Sequence, residues 1–85
     1  MQVLIASALQ SYTGQSRVEA QGATVDQVLA DLDARYPGIR FRIIDEQGRI
    51  RRHIRFFHDG EMVHELSHTV RPDGELVIAQ ALSGG

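Results

Sequence analysis

The sequence contains no cysteine, no tryptophan and no lysine. Without cysteine there is no disulfide, no thiolate metal site and no sulfur nucleophile among the side chains. Without lysine, every Lys/Arg position is an arginine, and the chain offers no ε-amine for isopeptide linkage to itself. No apolar run approaches the ~18 residues of a membrane span, and no basic segment leads into a hydrophobic stretch near Met1. These absences point to a cytoplasmic protein without a membrane partner. Acidic residues outnumber basic ones, 11 to 9. That balance argues against nucleic acid as the main partner, although six arginines crowd into residues 40–55. At 85 residues the chain makes one domain. A chain this short buries only about 60–65% of its extended surface, too little to wall off a deep active site.

What is present reads as alternating strands around one helix. Val3-Leu4-Ile5 opens as a strand. The polar stretch Ser11–Gln15, with Gly14, predicts a hairpin connection into a second strand over Arg17–Ala20. The period then changes. Thr24 with Gln27 three residues on forms a capping-box signature. Val25, Val28, Leu29, Leu32 and Tyr36 recur at helical spacing, with Asp26, Asp31, Asp33 and Arg35 on the other face. Pro37-Gly38 stops that helix. Ile39–Ile44 reads two ways. Ile39, Phe41 and Ile43 alternate as in a strand, while Phe41 and Ile44 would share a helical face. Gln47-Gly48 is a turn, His53–His58 a strand, and Asp59-Gly60 a hairpin signal with Met62-Val63 on the return. Pro72-Asp73-Gly74 makes a further turn, and Glu75–Leu82 is a last strand expected to lie beside the first. One helix with four or five strands predicts an α+β fold, the helix packed across one face of a mixed sheet. Residues 1–82 form the domain and residues 83–85 a flexible tail.

One motif points elsewhere. Val63–His68, "VHELSH", contains H-E-x-x-H, by which a helix presents two zinc ligands and a general base. The reading requires His64 and His68 on one helical face. Asp59-Gly60 and Pro72 close the segment on both sides, and Thr69-Val70 adds β-branched residues. A helix of at most two turns is marginal in water. A catalytic zinc also needs a third protein ligand, and nothing places His53 or His58 there. No metal site is expected. His58 shares a strand face with Ile54 and Phe56 and reads as a partly buried, hydrogen-bonded histidine.

The sequence closes on Leu82-Ser83-Gly84-Gly85. Glycine tails are usually frayed ends, but here an apolar strand delivers one from a compact domain. At about 3.3–3.6 Å per extended residue, Gln80–Gly85 reaches roughly 20 Å into a partner. Glycine passes a narrow channel and accepts whatever backbone angles the channel imposes. The Gly85 α-carboxylate is ionised at neutral pH and a poor electrophile until an activating step supplies a leaving group.

On the stretches "VLIASALQSYTG", "ATVDQVLADLDARYPGI", "RIIDEQGRIRRHIRFFHDGE" and "RPDGELVIAQALSGG", the chain resembles the MoaD/ThiS-type sulfur carriers. These are ubiquitin-like β-grasp proteins that include the small subunit of molybdopterin synthase and the thiamin-pathway carrier. The insertion around "DEQGRIRRH" resembles the branch serving cysteine and other amino-acid biosynthesis. The resemblance implies a ubiquitin-like β-grasp fold and a carrier that is a substrate, not an enzyme. A ThiF/MoeB-like adenylating enzyme would use ATP and magnesium to activate Gly85, with Gly84 beside it, and no cofactor would be bound by the carrier. A persulfide or sulfide donor would give a thiocarboxylate that passes sulfur to an acceptor synthase. Leu82 and Ser83 would enter the partner with the glycines. Relatives dock through the sheet face opposite the helix. Strand alternation puts Leu76, Ile78, Ile54 and Phe56 in the core, leaving Arg55, Phe57, Val77 and Ala79 for docking, with Phe57 as an exposed anchor. Two departures from the family, His58 and a shortened Glu65–Arg71, bear on which partner is served. The alternatives are a ubiquitin-like modifier conjugated through Gly85, or the small subunit of a molybdopterin-synthase-like complex.

Overall fold

The computed structural model describes residues 1–81. The chain runs β1 (Gln2–Ile5), a 3-10 turn (Ser7–Leu9), α1 (Gln10–Thr13), β2 (Arg17–Glu19), α2 (Val25–Arg35), α3 (Ile39–Ile43), β3 (Ile54–His58), β4 (Glu61–Val63) and β5 (Glu75–Gln80). The five strands form one sheet in the order β2-β1-β5-β3-β4. β1 and β5 pair in parallel at its centre and the other pairs are antiparallel. The expected mixed sheet is therefore present, and the last strand lies beside the first.

α2 forms because its apolar positions share one face and its first turn is fully capped. Val25, Val28, Leu29 and Leu32 are buried together. Thr24 Oγ1 accepts from Gln27 N at 3.3 Å, while Gln27 Oε1 accepts from Ala23 N at 2.8 Å. The reciprocal pair is the expected capping box, reaching one residue further back than usual. At the other end Pro37 follows the C-cap, and Gly38 takes φ 97° to start α3. Asp33 Oδ1 accepts from both Gly38 N and Arg40 N at 3.1 Å, which fixes that corner. Ile39–Ile43 is a helix, with Ile39 and Ile43 buried and Phe41 left outside, so burial at i and i+4 resolves the ambiguous stretch.

One expectation changes. The link after β1 is no simple hairpin turn: its residues form the 3-10 turn and α1, which Gly14 ends at φ 73°. The segment still returns β2 antiparallel to β1, with Val18 opposite Val3. Phe56 at the centre of β3 is fully buried with Val3, Leu76 and Ile78, in the same core cluster as the buried face of α2. Such a ring contributes about 1.5–3 kcal/mol from burial alone. The β3–β4 hairpin turns on Asp59 (φ 49°) and Gly60 (φ 88°), the two positive angles that a type I′ turn demands.

Candidate functional site

The site begins with the parity of β3 and β5. Leu76 and Ile78 point into the core, so Val77 and Ala79 stand on the opposite face. Ile54 and Phe56 are buried in the same way, leaving Arg55 and Phe57 beside them. Register then brings these four together, because Phe57 lies opposite Val77 and Arg55 opposite Ala79. Phe57 is half-buried by its neighbours, not exposed as the alternation alone suggested.

The same register adds two residues that the sequence reading missed. Phe57 pairs with Met62 on β4, and Val77 pairs with Leu4 on β1. An apolar row therefore crosses the open sheet face as Met62, Phe57, Val77 and Leu4, with Met62 45% exposed. Met62 was within reach of the sequence: a two-residue turn at Asp59-Gly60 pairs His58 with Glu61 and hence Phe57 with Met62. Leu4 was not, since nothing local sets the register of a parallel pair. On one side of the row lie Gln2, Glu19 and Glu75. On the other lie Arg55 and Ala79, next to the point where the chain leaves the sheet.

That exit is held on both flanks. Ala6 N donates to Ile78 O at 2.9 Å, and Ala81 N donates to His53 O at 2.7 Å. Between them a groove of ≈ 530 Å³ opens beside Leu4, Ala6, His53, Val77, Ala79 and Ala81. The root of the tail is thus part of the sheet through Ala81. The expectations for Leu82, Ser83, Gly84 and Gly85, and for the boundary between domain and tail, lie outside the described residues. Arg55 turns back on its own strand, its Nη1 donating to Arg52 O at 2.8 Å and Ile54 O at 2.9 Å.

The H-E-x-x-H segment is not a helix. His64 is exposed after β4, Leu66-Ser67 is a turn, and Thr69 bridges to Thr24. Its main chain serves α2. Leu66 O accepts from Asp26 N, and His68 O accepts from Val25 N, both at 3.0 Å, so two otherwise unpaired helix N–H groups are satisfied. Among the described residues no three His, Cys, Asp or Glu side chains cluster to hold a metal. His58 is 7% exposed. Its Nδ1 lies 3.1 Å from Glu75 O and its Nε2 accepts from Arg71 N at 3.3 Å. Those partners assign the proton to Nδ1. His68 packs edge-on against it, with ring centroids 5.7 Å apart. His58 is therefore hydrogen-bonded as expected, and buried more fully than the partial burial expected.

Known proteins share this arrangement. The sequence profile of the ThiS family matches residues 3–85. The chain belongs to the ThiS family. It is 32% identical to the sulfur carrier protein CysO of Mycobacterium tuberculosis over 89 aligned positions, covering 98% of this chain and 96% of CysO. A chain of the Amycolatopsis orientalis BexX/CysO complex superposes with a TM-score of 0.90 at 33% identity, covering 99% of this chain and 98% of that one. Small archaeal modifier protein 1 of Haloferax volcanii superposes with a TM-score of 0.79 at 25% identity, over 96% and 97% of the two chains. The ubiquitin-like β-grasp fold and the match to the cysteine-biosynthesis branch of sulfur carriers follow from these likenesses. For this ThiS-family chain, no helix among the described residues is long and apolar enough to cross a membrane.

Proposed function

We propose that this chain is a sulfur carrier whose reactive group is the α-carboxylate of Gly85, and that it serves as a substrate of other enzymes. The observation that carries the reading is the central strand β5. It is paired on both sides and delivers the sequence Ala81-Leu82-Ser83-Gly84-Gly85 from the edge of an apolar face. The chemistry proceeds in two steps. A Gly85 carboxylate oxygen attacks the α-phosphorus of ATP on a ThiF/MoeB-like adenylating enzyme, with magnesium, and pyrophosphate leaves. Sulfide then attacks the acyl carbon and AMP leaves, giving a thiocarboxylate. A persulfide donor would need a thiol to reduce the acyl disulfide formed first. The thiocarboxylate finally donates sulfur to an acceptor synthase, and the compartment is that of ATP-dependent biosynthesis, the cytoplasm.

Leu82, Ser83 and Gly84 thread the partner's channel, while Phe57, Val77, Ala79 and Arg55, with Met62 and Leu4, seat the sheet face against it. Membership of a family with carriers in partner complexes supports that docking. Apolar residues in one row give the partner a contact core, with Arg55 at its rim.

The test uses the missing cysteines. The protein is incubated with ATP, magnesium, the adenylating enzyme and sulfide, then treated with a thiol-alkylating reagent and weighed intact. The expected outcome is one ATP-dependent adduct that maps to Gly85 and is lost when Gly85 is deleted. Adenylation without an adduct would favour the second reading, a modifier joined to other proteins through Gly85. The likeness to an archaeal modifier protein supports that alternative. Lacking lysine, the chain would then cap targets singly and not form lysine-linked chains of itself.

A further inference from the structure

Apart from Arg55, at the rim of the docking face, the arginine crowd seen in the sequence has a place in the fold that the carrier chemistry does not use. Among the described residues, arginine ion pairs are made by Arg35, Arg40 and Arg71. Arg42, Arg51, Arg52 and Arg55 are outside them. Two neighbouring depressions gather these four. One, of ≈ 470 Å³, is lined by Phe41, Arg42, Arg51, Arg52, His53 and Gln80. The other, of ≈ 370 Å³, shares Arg51 and Arg52 and adds Arg55.

Phe41 stands at the edge of this basic surface. It is 56% exposed, because α3 spends its buried positions on Ile39 and Ile43. The Arg51 guanidinium sits over its ring, 4.7 Å from the centroid, and Arg51 Nε donates to Phe41 O at 2.7 Å. The pair is therefore held in place before any partner arrives, which lowers the ordering cost of binding. An exposed aromatic among arginines has the composition of an interface centre, and guanidinium groups lose less hydration on burial than ammonium groups.

The position decides the partner. His53 and Gln80 line both the basic depression and the groove on the open sheet face, so the tail root stands between the two. Any protein that swallows the tail must come close to this surface. Nucleic acid fits poorly, since the chain is acidic overall and four arginines around a short helix make no continuous basic stripe. We infer that Phe41, Arg42, Arg51 and Arg52 dock against an acidic rim on the adenylating enzyme, at a surface that adjoins the apolar row Met62–Phe57–Val77–Leu4 only through Met62, which lines the second depression. The inference rests on the carrier reading and names the chemistry of its first partner.

Steady-state ATP–pyrophosphate exchange with a ThiF/MoeB-like enzyme tests it. Arg42→Glu/Arg52→Glu changes two exposed side chains that make no hydrogen bond among the described residues, so the melting temperature should not move. Placing two carboxylates against an acidic rim should raise the KM for the carrier about tenfold or more, with kcat within about twofold. The difference should shrink between low and high salt, because exposed charges are screened. Phe41→Ala should raise KM without that salt dependence. Unchanged KM in both variants, with wild-type exchange intact, overturns the docking surface and leaves the carrier reading standing. Absence of exchange with the wild-type chain overturns the carrier reading and this inference with it.

Discussion

Asp45 shows how much one side chain settles at the residue scale. It begins the loop after α3, and its Oδ1 accepts from both Gln47 N and Arg49 N at 2.9 Å. The Arg49 amide bond is the main cause holding its pKa below the ordinary 3.8. Desolvation is the next cause in size and opposes it, while the Gln47 amide and then the charges of Arg49 and Arg51 reinforce the lowering. Because folding lowers this pKa, the carboxylate supports the loop fully above the unfolded value. That support is lost only as pH falls through the lower, folded one. In an acid titration followed by amide NMR, Gln47 and Arg49 should therefore shift with one midpoint below 3.8. Asp45→Asn should abolish that shift. A midpoint at or above the ordinary value would contradict the assignment. Much at this scale was open to sequence reasoning where side-chain chemistry decides. Strand alternation places Phe57 and Val77 on one face, and apolar neighbours mark His58 as at least partly buried. Half-burial of Phe57 was not legible, because it depends on Met62 and Val77 packing from neighbouring strands.

At the scale of elements, α2 was legible and its supports only in part. The Thr24–Gln27 signature and the apolar spacing lie within one stretch of sequence, where the energetics are local. The carbonyls of Leu66 and His68 that cap Asp26 and Val25 come from about forty residues away, and main-chain contacts leave no mark on residue type. The same holds for the short 3-10 turn and α1, whose seven residues bury Leu9 alone and show no periodic stripe. This division of labour predicts an order among variants. Thr24→Ala loses one long hydrogen bond while Leu66 and His68 still cap their neighbours, so the cost should sit near the low end of N-cap losses, about 0.5–1 kcal/mol. Gly22→Ala should cost more. A Cβ there would lie 2.6 Å from Val28 N and 2.8 Å from the Gln27 carbonyl carbon, and a helix backbone cannot yield as a side chain does. Overpacking of that kind costs about 1–3 kcal/mol. Thermal melts of the two variants should show the larger drop for Gly22→Ala, at roughly 4–8 °C per kcal/mol for a domain of this size. The reverse order would mean that the link into α2 shifts freely.

For the whole molecule, the decisive fact is that the last strand is the central one. β5 lies between β1 and β3, and the parallel β1–β5 ladder runs from Gln2 opposite Glu75 to Ile5 opposite Ile78. Leu76 and Ile78 are fully buried from that position. The sheet therefore cannot close until nearly the whole chain is present, and its core and tail root are built by one strand. Without β5, the β1–β2 and β3–β4 pairs would remain as two separate ribbons, and an isolated two-stranded ribbon is marginal in water. A chain ending at Gly74 should consequently lack a native, dispersed amide spectrum at 25 °C, although it keeps all of α2. The full chain should unfold in one transition, with far-ultraviolet dichroism and the fluorescence of Tyr12 and Tyr36 tracing the same curve. A dispersed spectrum from the 1–74 fragment would show that α2 and the outer strands hold a core of their own. In the expected case the tail can be presented only by a folded domain. The proposed adenylating enzyme, gripping both the open sheet face and the basic surface, would then read the carrier's folded state before activating Gly85.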